Sequence, residues 1–218
     1  MSARFDCTVV GERAEGIKEA VTALGIGKLA VVPTDTVYGV AADAFLPEAV
    51  AALLAAKGRG RQMPPPVLVG SRRAAFALVE DVSTSASDLI DEFWPGGLTL
   101  VFRASRTLSW DLGDTRGTVA LRMPEHPVTL ELLRETGPMA VSSANLTGAA
   151  AATTAEQARE QLADTVAVYL DGGPSAGGLA STIVDLTDET PRLLRQGAIS
   201  MGRLREVAGV RASGDATR

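Results

Sequence analysis

Three cations occupy alternate positions in the segment Lys57-Gly58-Arg59-Gly60-Arg61. Upstream, an apolar run breaks at Pro33 into Thr34-Asp35-Thr36, followed by Tyr38 and Gly39. Hydroxyls at a strand end facing a fork of cations suit an anionic, multiply oxygenated ligand, such as a nucleotide phosphate or a carboxylate. No other stretch carries such groups at this density. The common devices of covalent catalysis are missing. A Ser-His-Asp triad would have to use His126, the sole histidine, which follows Met123-Pro124-Glu125 and reads as a capping or packing residue. Cys7, the sole cysteine, reads as core rather than nucleophile. One Cys and one His cannot complete a structural zinc site. The chain has no GxxxxGKS/T, no GxGxxG opening a helix and no GxSxG elbow. Chemistry must therefore come from positioning substrates and neutralising charge.

The elements that would position these residues alternate along the chain. Gly11–Leu24 reads as a helix, Lys28–Pro33 as a buried strand and Val37–Ala44 as strand or turn. Pro47–Lys57 carries Val50, Leu53 and Leu54 at helical spacing, with a proline in the first turn. A short strand is expected at Pro65–Gly70, then two amphipathic helices before Trp94-Pro95-Gly96-Gly97. Strands follow at Leu98–Arg103 and Thr118–Arg122, a helix at His126–Thr136 and a strand at Met139–Ser143. Thr153 with Glu156 three residues on reads as a capping box opening a helix to Leu162. Val166–Leu170, Ser181–Leu186 and Arg192–Arg195 read as late strands, and Met201–Val207 as a last helix. The interleaving predicts a single α/β domain over residues 11–208, with an N-terminal segment at 1–10 and a polar, frayed tail at 209–218. At 218 residues and 46% hydrophobic, the chain can bury one substantial core. Its formal net charge is −5, so any basic surface must be local. One cysteine, no signal-like N-terminus and no long apolar run read as a cytoplasmic protein with no membrane association.

PTDTVYGVAADA, then AKGR, FWPGGLTLVF, LRMPEH, SSANLTG, STIVDL and LRQG stand in this order between Gly11 and Ala208. Together they resemble the YrdC/Sua5 family of threonylcarbamoyl-AMP synthases, in the short form without an extra C-terminal domain. The resemblance implies an open, twisted, mixed α/β sheet with flanking helices and a concave, positively charged cleft. It also implies an ATP-dependent reaction in which L-threonine and bicarbonate or CO2 form a carbamate that takes AMP from ATP. The products would be L-threonylcarbamoyladenylate and pyrophosphate, the first step of tRNA threonylcarbamoyladenosine modification. Mg2+ would come with ATP rather than through protein ligands. tRNA and a separate tRNA threonylcarbamoyl transferase complex are the implied transient partners.

Carried over residue by residue, the resemblance makes Lys57 and Arg59 the catalytic pair on the nucleotide phosphates. Taken by themselves, both could be solvated cations favoured by a helix C-terminus. Thr118, Ser143, Asn145 and Arg195 would join them in binding ATP. Thr34, Thr36, Arg122 and Ser181 would bind threonine, with Arg122 on its carboxylate. Each has a plainer reading: a hydroxyl turn for Thr34 and Thr36, a strand start for Thr118, a polar turn for Ser143 and Asn145, a surface ion pair for Arg195. Arg61 is left between phosphate and solvent, and Asp35 is read as a supporting or Mg2+-side group. The chain departs from many relatives at Met63, Leu68 and Ala151, where Asn, His and Ser are usual. These changes bear on affinity and selectivity more than on reaction class. Two other classes stay in view. One is a related carbamoyl- or adenylyl-transfer module, as in hydrogenase-maturation or antibiotic-carbamoylating proteins. The other is a double-stranded RNA-binding protein, against which the acidic charge and 4% aromatic content weigh.

Overall fold

The hydroxyl turn begins where a strand can no longer continue. Proline has no N–H to give a sheet ladder, and β2 (Ala30–Val32) ends just before Pro33. The chain returns as β3 (Gly39–Asp43), antiparallel to β2 with Val32 opposite Gly39. The computed structural model describes residues 2–212. The remaining strands are β1 (Ala3–Asp6), β4 (Val67–Leu68), β5 (Leu98–Arg103), β6 (Thr118–Arg122), β7 (Met139–Ser143), β8 (Val168–Asp171), β9 (Thr182–Asp185) and β10 (Arg192–Arg195). The helices are α1 (Val10–Gly25), α2 (Pro47–Ala56), α3 (Arg72–Phe76), α4 (Thr84–Phe93), α5 (Pro127–Thr136), α6 (Ala155–Leu162) and α7 (Met201–Ala208). All ten strands form one mixed sheet in the order β1-β8-β2-β3-β7-β4-β6-β5-β9-β10.

The two halves of this sheet are covered differently. In β2, β3 and β8, residues on both faces are buried. Ala30, Val32, Ala41, Val168 and Leu170 pack under α1 and α5, while Val31, Val40, Ala42 and Tyr169 pack under α2 and α6. Strands buried on both faces read as unbroken apolar runs. In β5 and β6 the pattern alternates: Leu98, Leu100, Phe102, Val119 and Leu121 meet α4 and α7 through Leu89, Ile90 and Leu204. The opposite face carries Thr99 and Arg122, which line a cavity rather than pack under a helix among the described residues, so the sheet is open there.

Local signals held, with shifts. The cap of α6 is Thr154, whose hydroxyl accepts from Gln157 N, while Gln157 Oε1 accepts from Thr153 N at 2.8 Å. The capping box therefore sits one residue later than the expected Thr153–Glu156 pair, because Gln157 is the residue whose side chain reaches back. At the N-terminus, Ala3–Asp6 is an edge strand parallel to β8. At the other end, ordered structure runs past residue 208. Val210 is buried and Arg211 exchanges backbone hydrogen bonds with Pro191 and Leu193. Residues 213–218 of the expected tail lie outside the described residues. Among the described residues, no helix is long and apolar enough to cross a membrane.

Candidate active site

The open half of the sheet builds a site from one row of residues. Register places Leu68 beside Arg122, Thr99 beside Ile183, and Ile183 beside Arg195. Leu121 opposes Leu100, so Arg122 continues that register opposite Thr99. Leu68, Arg122, Thr99, Ile183 and Arg195 thus cross five strands and all line one cavity of about 310 Å3. At about 4.8 Å per strand, the two arginines stand on the order of 14 Å apart along the floor. The Thr34–Gly39 turn, Arg59, Met63, Pro64, Pro66 and Val141–Ser143 form the walls. Among the described residues lining this cavity none is acidic and three are arginines.

Arg122 is buried and joins the two halves of the sheet. Its Nε donates to Gly96 O at 2.9 Å, Nη1 to Thr36 Oγ1 at 2.8 Å and Nη2 to Asp35 Oδ1 at 2.6 Å. Gly96 presents that carbonyl where a Cβ would come within 2.6 Å of Phe93 O, so a side chain has no room there. Burial lowers the Arg122 pKa; Asp35 opposes the shift and Arg195 adds to it. A guanidinium has five N–H groups and three are engaged, so each terminal nitrogen keeps one for a ligand. Asp35 also accepts from Glu125 N at 2.9 Å. Asp35, expected as a supporting or Mg2+-side group, is the counter-ion of Arg122.

Proton accounting separates the two threonines of the turn. Thr34 Oγ1 donates its one proton to Val37 O at 2.6 Å and accepts from Thr36 N. In the 3.0 Å contact between the two hydroxyls, Thr36 must therefore be the donor. Thr34 is saturated. Thr36 has given its proton and accepted from Arg122, leaving one lone pair for a donor on a ligand.

Arg59 and Arg195 hold more capacity in reserve. Arg59 donates from Nε to Thr147 Oγ1 at 3.2 Å and from Nη1 to Ser142 Oγ at 3.0 Å, leaving three N–H groups. Arg195 has no carboxylate partner among the described residues, so the surface ion pair is set aside. It donates from Nε and Nη2 to Ser181 O and from Nη2 to Ser181 Oγ. Ser181 is braced in turn by Thr99 Oγ1 at 2.8 Å. Burial and the charge of Arg59 push the Arg195 pKa down. A cation held down by a neighbouring cation, with no carboxylate partner of its own, is prepared for an anion.

Three expected site residues stand elsewhere. Lys57 was expected to present its charge into the cleft, but the residue is fully buried beneath it. Its ammonium donates to the carbonyls of Ser143 and Asn145. Burial, with Arg59, lowers its pKa to about 8. The physical reason is local: the chain turns at the C-cap, Lys57 itself, so alternate residues of the cationic run face opposite ways. Asn145 is buried, and its amide nitrogen donates to Leu146 O and Ala149 O, so it shapes the turn rather than lining the cavity. Thr118 lies at the far end of β6 opposite Arg103, with its hydroxyl on Thr115 O. Four residues of strand, roughly 13 Å, separate it from Arg122. Arg61 is bidentate to Asp111 and does not line this cavity.

The row arrangement also supplies residues that sequence reading missed. Thr99 and Ile183 lie within the LTLVF and STIVDL runs, where neither residue type by itself marks a site, and Ser142 stands beside Ser143 in the SSAN run. Strand alternation marks Thr99 as pointing away from Leu98 and Leu100; only sheet order reveals where it points. Met63 and Leu68, two of the departures, line the cavity, whereas Ala151 does not. Among the described residues no group of three His, Cys, Asp or Glu side chains is placed to hold a metal ion.

The sequence profile of the Sua5/YciO/YrdC family, described as telomere recombination, matches residues 22–197. A Mycobacterium tuberculosis protein provisionally named threonylcarbamoyl-AMP synthase is 58% identical over 213 residues, 98% of both chains. A Bacillus subtilis protein named threonylcarbamoyl-AMP synthase is 37% identical, covering 88% of this chain and 56% of that protein. The structure of Pyrococcus abyssi Sua5 complexed with L-threonine superposes with a TM-score of 0.89 at 33% identity. The match covers 98% of this chain and spans 62% of the length of that one.

Proposed function

The chain belongs to the Sua5/YciO/YrdC family, and from that premise we propose that it makes L-threonylcarbamoyladenylate from L-threonine, bicarbonate or CO2, and ATP. The observation that carries this reading is the cleft itself. Three arginines with unengaged N–H groups face one cavity that has no acidic lining residue, beside a buried hydroxyl turn. Such a site binds two anions at once, a carboxylate at one end and a polyphosphate at the other. Arg122 and the free lone pair of Thr36 suit the carboxylate and ammonium of an amino acid. Arg59 and Arg195 suit the phosphates.

The chemistry needs no protein nucleophile. The threonine nitrogen bonds to the carbon of CO2 and loses a proton, giving a carbamate. A carbamate oxygen then bonds to the α-phosphorus while the bond to the bridging oxygen breaks, and that electron pair leaves with pyrophosphate. From bicarbonate the same sequence also releases one water. Fixed cations around the departing charge are the protein's part in this step. Mg2+ enters as part of the nucleotide substrate. The adenylate is a mixed anhydride, and we assign its use to the tRNA threonylcarbamoyl transferase complex in the cytoplasm.

Purified protein given ATP, L-threonine and bicarbonate with Mg2+ is expected to release pyrophosphate only when all three are present. Mass spectrometry should find the adenylate. Equal release without threonine, or none at all, would overturn the assignment. Tight binding of duplex RNA without turnover would favour a binding protein instead.

A further inference from the structure

The loop that follows Arg59 is held by a second loop from outside the cleft. Arg61 Nη1 and Nη2 donate to the two carboxylate oxygens of Asp111 at 2.9 and 2.8 Å. Arg61 O accepts from Asp114 N at 2.8 Å. Between these, Gly113 has φ +99°, and a Cβ there would come within 2.6 Å of Arg61 O. Close approach of the two backbones thus requires glycine. Asp111 is oriented by Gly113 N, which donates to its Oδ1 at 3.0 Å. The bracing loop is itself anchored: Leu112 is buried, and Trp110 stacks on Phe45 at 5.5 Å, one residue before the cap of α2.

We propose that Arg61 and Asp111 are positioning residues for the nucleotide end of the site. They touch no substrate. Their clasp fixes Arg61, and through it the short connection to Met63 and Pro64, which form the cavity wall beside Arg59. Gly58 and Gly60 flank Arg59, so the segment has little stiffness of its own before the proline run Pro64–Pro66. The ion pair is solvent-exposed, with Arg61 60% and Asp111 42% accessible. Its contribution is therefore modest and salt-sensitive.

This inference deepens the proposed reaction and rests on it, so the test reads nucleotide binding separately from turnover. Asp111→Ala is expected to weaken ATP binding about threefold to fivefold, measured by titration calorimetry, the range an exposed bidentate pair supports. KM for ATP should rise by the same factor, while KM for threonine and kcat stay within about twofold of the parent protein. Asp111→Glu, which keeps the carboxylate against Arg61, should recover part of the loss, and 0.5 M salt should narrow the gap between parent and Asp111→Ala. ATP affinity unchanged in Asp111→Ala would overturn the clasp. So would equal losses for both substrates accompanied by a lowered melting temperature, which would mark a structural role only. If the parent protein binds ATP but makes no adenylate, the reaction assignment fails while the binding comparison still decides the clasp.

Discussion

The covered and open halves of the sheet meet at Arg122, and they solve different problems. Strands β2, β3 and β8 are packed on both faces, so the turn they support, Thr34–Thr36, is fixed and the hydroxyl of Thr34 is used up by its own turn. Strands β5, β6, β9 and β10 are packed on one face, and the other displays Thr99, Ile183 and Arg195 to a ligand. The contrast teaches that rigidity and binding capacity are divided between the two. The closed half supplies geometry, and the open half supplies unpaired donors. Arg122 needs both, because its counter-ion comes from one half and its strand from the other.

Removing that link should show the largest effect. In Arg122→Met, Asp35 loses its partner while still largely buried, and such orphaned charges cost about 3 kcal/mol or more. Urea denaturation should register that loss, and threonine-dependent pyrophosphate release should disappear. A variant as stable as its parent would show that the two halves are not coupled through this pair.

Arg59 provides the opposite case, since its partners are neutral hydroxyls that can turn to solvent. Arg59→Ala should lower kcat by about 100-fold or more, as loss of a charge-stabilising donor does. Its stability should change by less than about 1 kcal/mol. Near-parental turnover would remove Arg59 from the site.

Lys57 sharpens the comparison by pH, without touching turnover. Its folded pKa of about 8 lies below the ordinary lysine value of 10.5. Below pH 8 both folded and unfolded chains hold the proton, and burial of the charge opposes folding. Between about pH 8 and 10.5 the folded protein releases it first, so stability should rise with pH by up to roughly 3 kcal/mol. Denaturation of the parent and of Lys57→Met across pH 8 to 10 should show a stability difference that moves in the parent's favour as pH rises, over the opposite slope that buried Cys7 gives both. A shared slope would assign the pH dependence to other groups.

Most elements were legible because their signals are local. AVV at β2 reads as a strand buried on both faces, LTLVFR at β5 alternates, and Pro47 opens α2 as its position suggests. The site was legible in part. Arg59, Arg122, Ser181 and Arg195 converge, and Thr36 keeps one open lone pair. Lys57, Asn145 and Thr118 did not follow, since residue type and spacing give no direction to a side chain after a helix cap or within a turn. Thr99 and Ile183 were invisible for the complementary reason: their meaning comes from strand neighbours more than 80 residues away in sequence.

Local residue patterns carry the order and type of most strands and helices, the lack of a covalent nucleophile apparatus, and the concentration of hydroxyls and cations near one strand end. Burial, turn and capping preferences act over a few residues, so they can be read from a few residues. Tertiary structure alone decided which cations point into the cleft. A guanidinium facing open sheet stays available to a ligand, whereas the Lys57 ammonium turned inward is consumed by backbone carbonyls, and only the order of strands distinguishes the two.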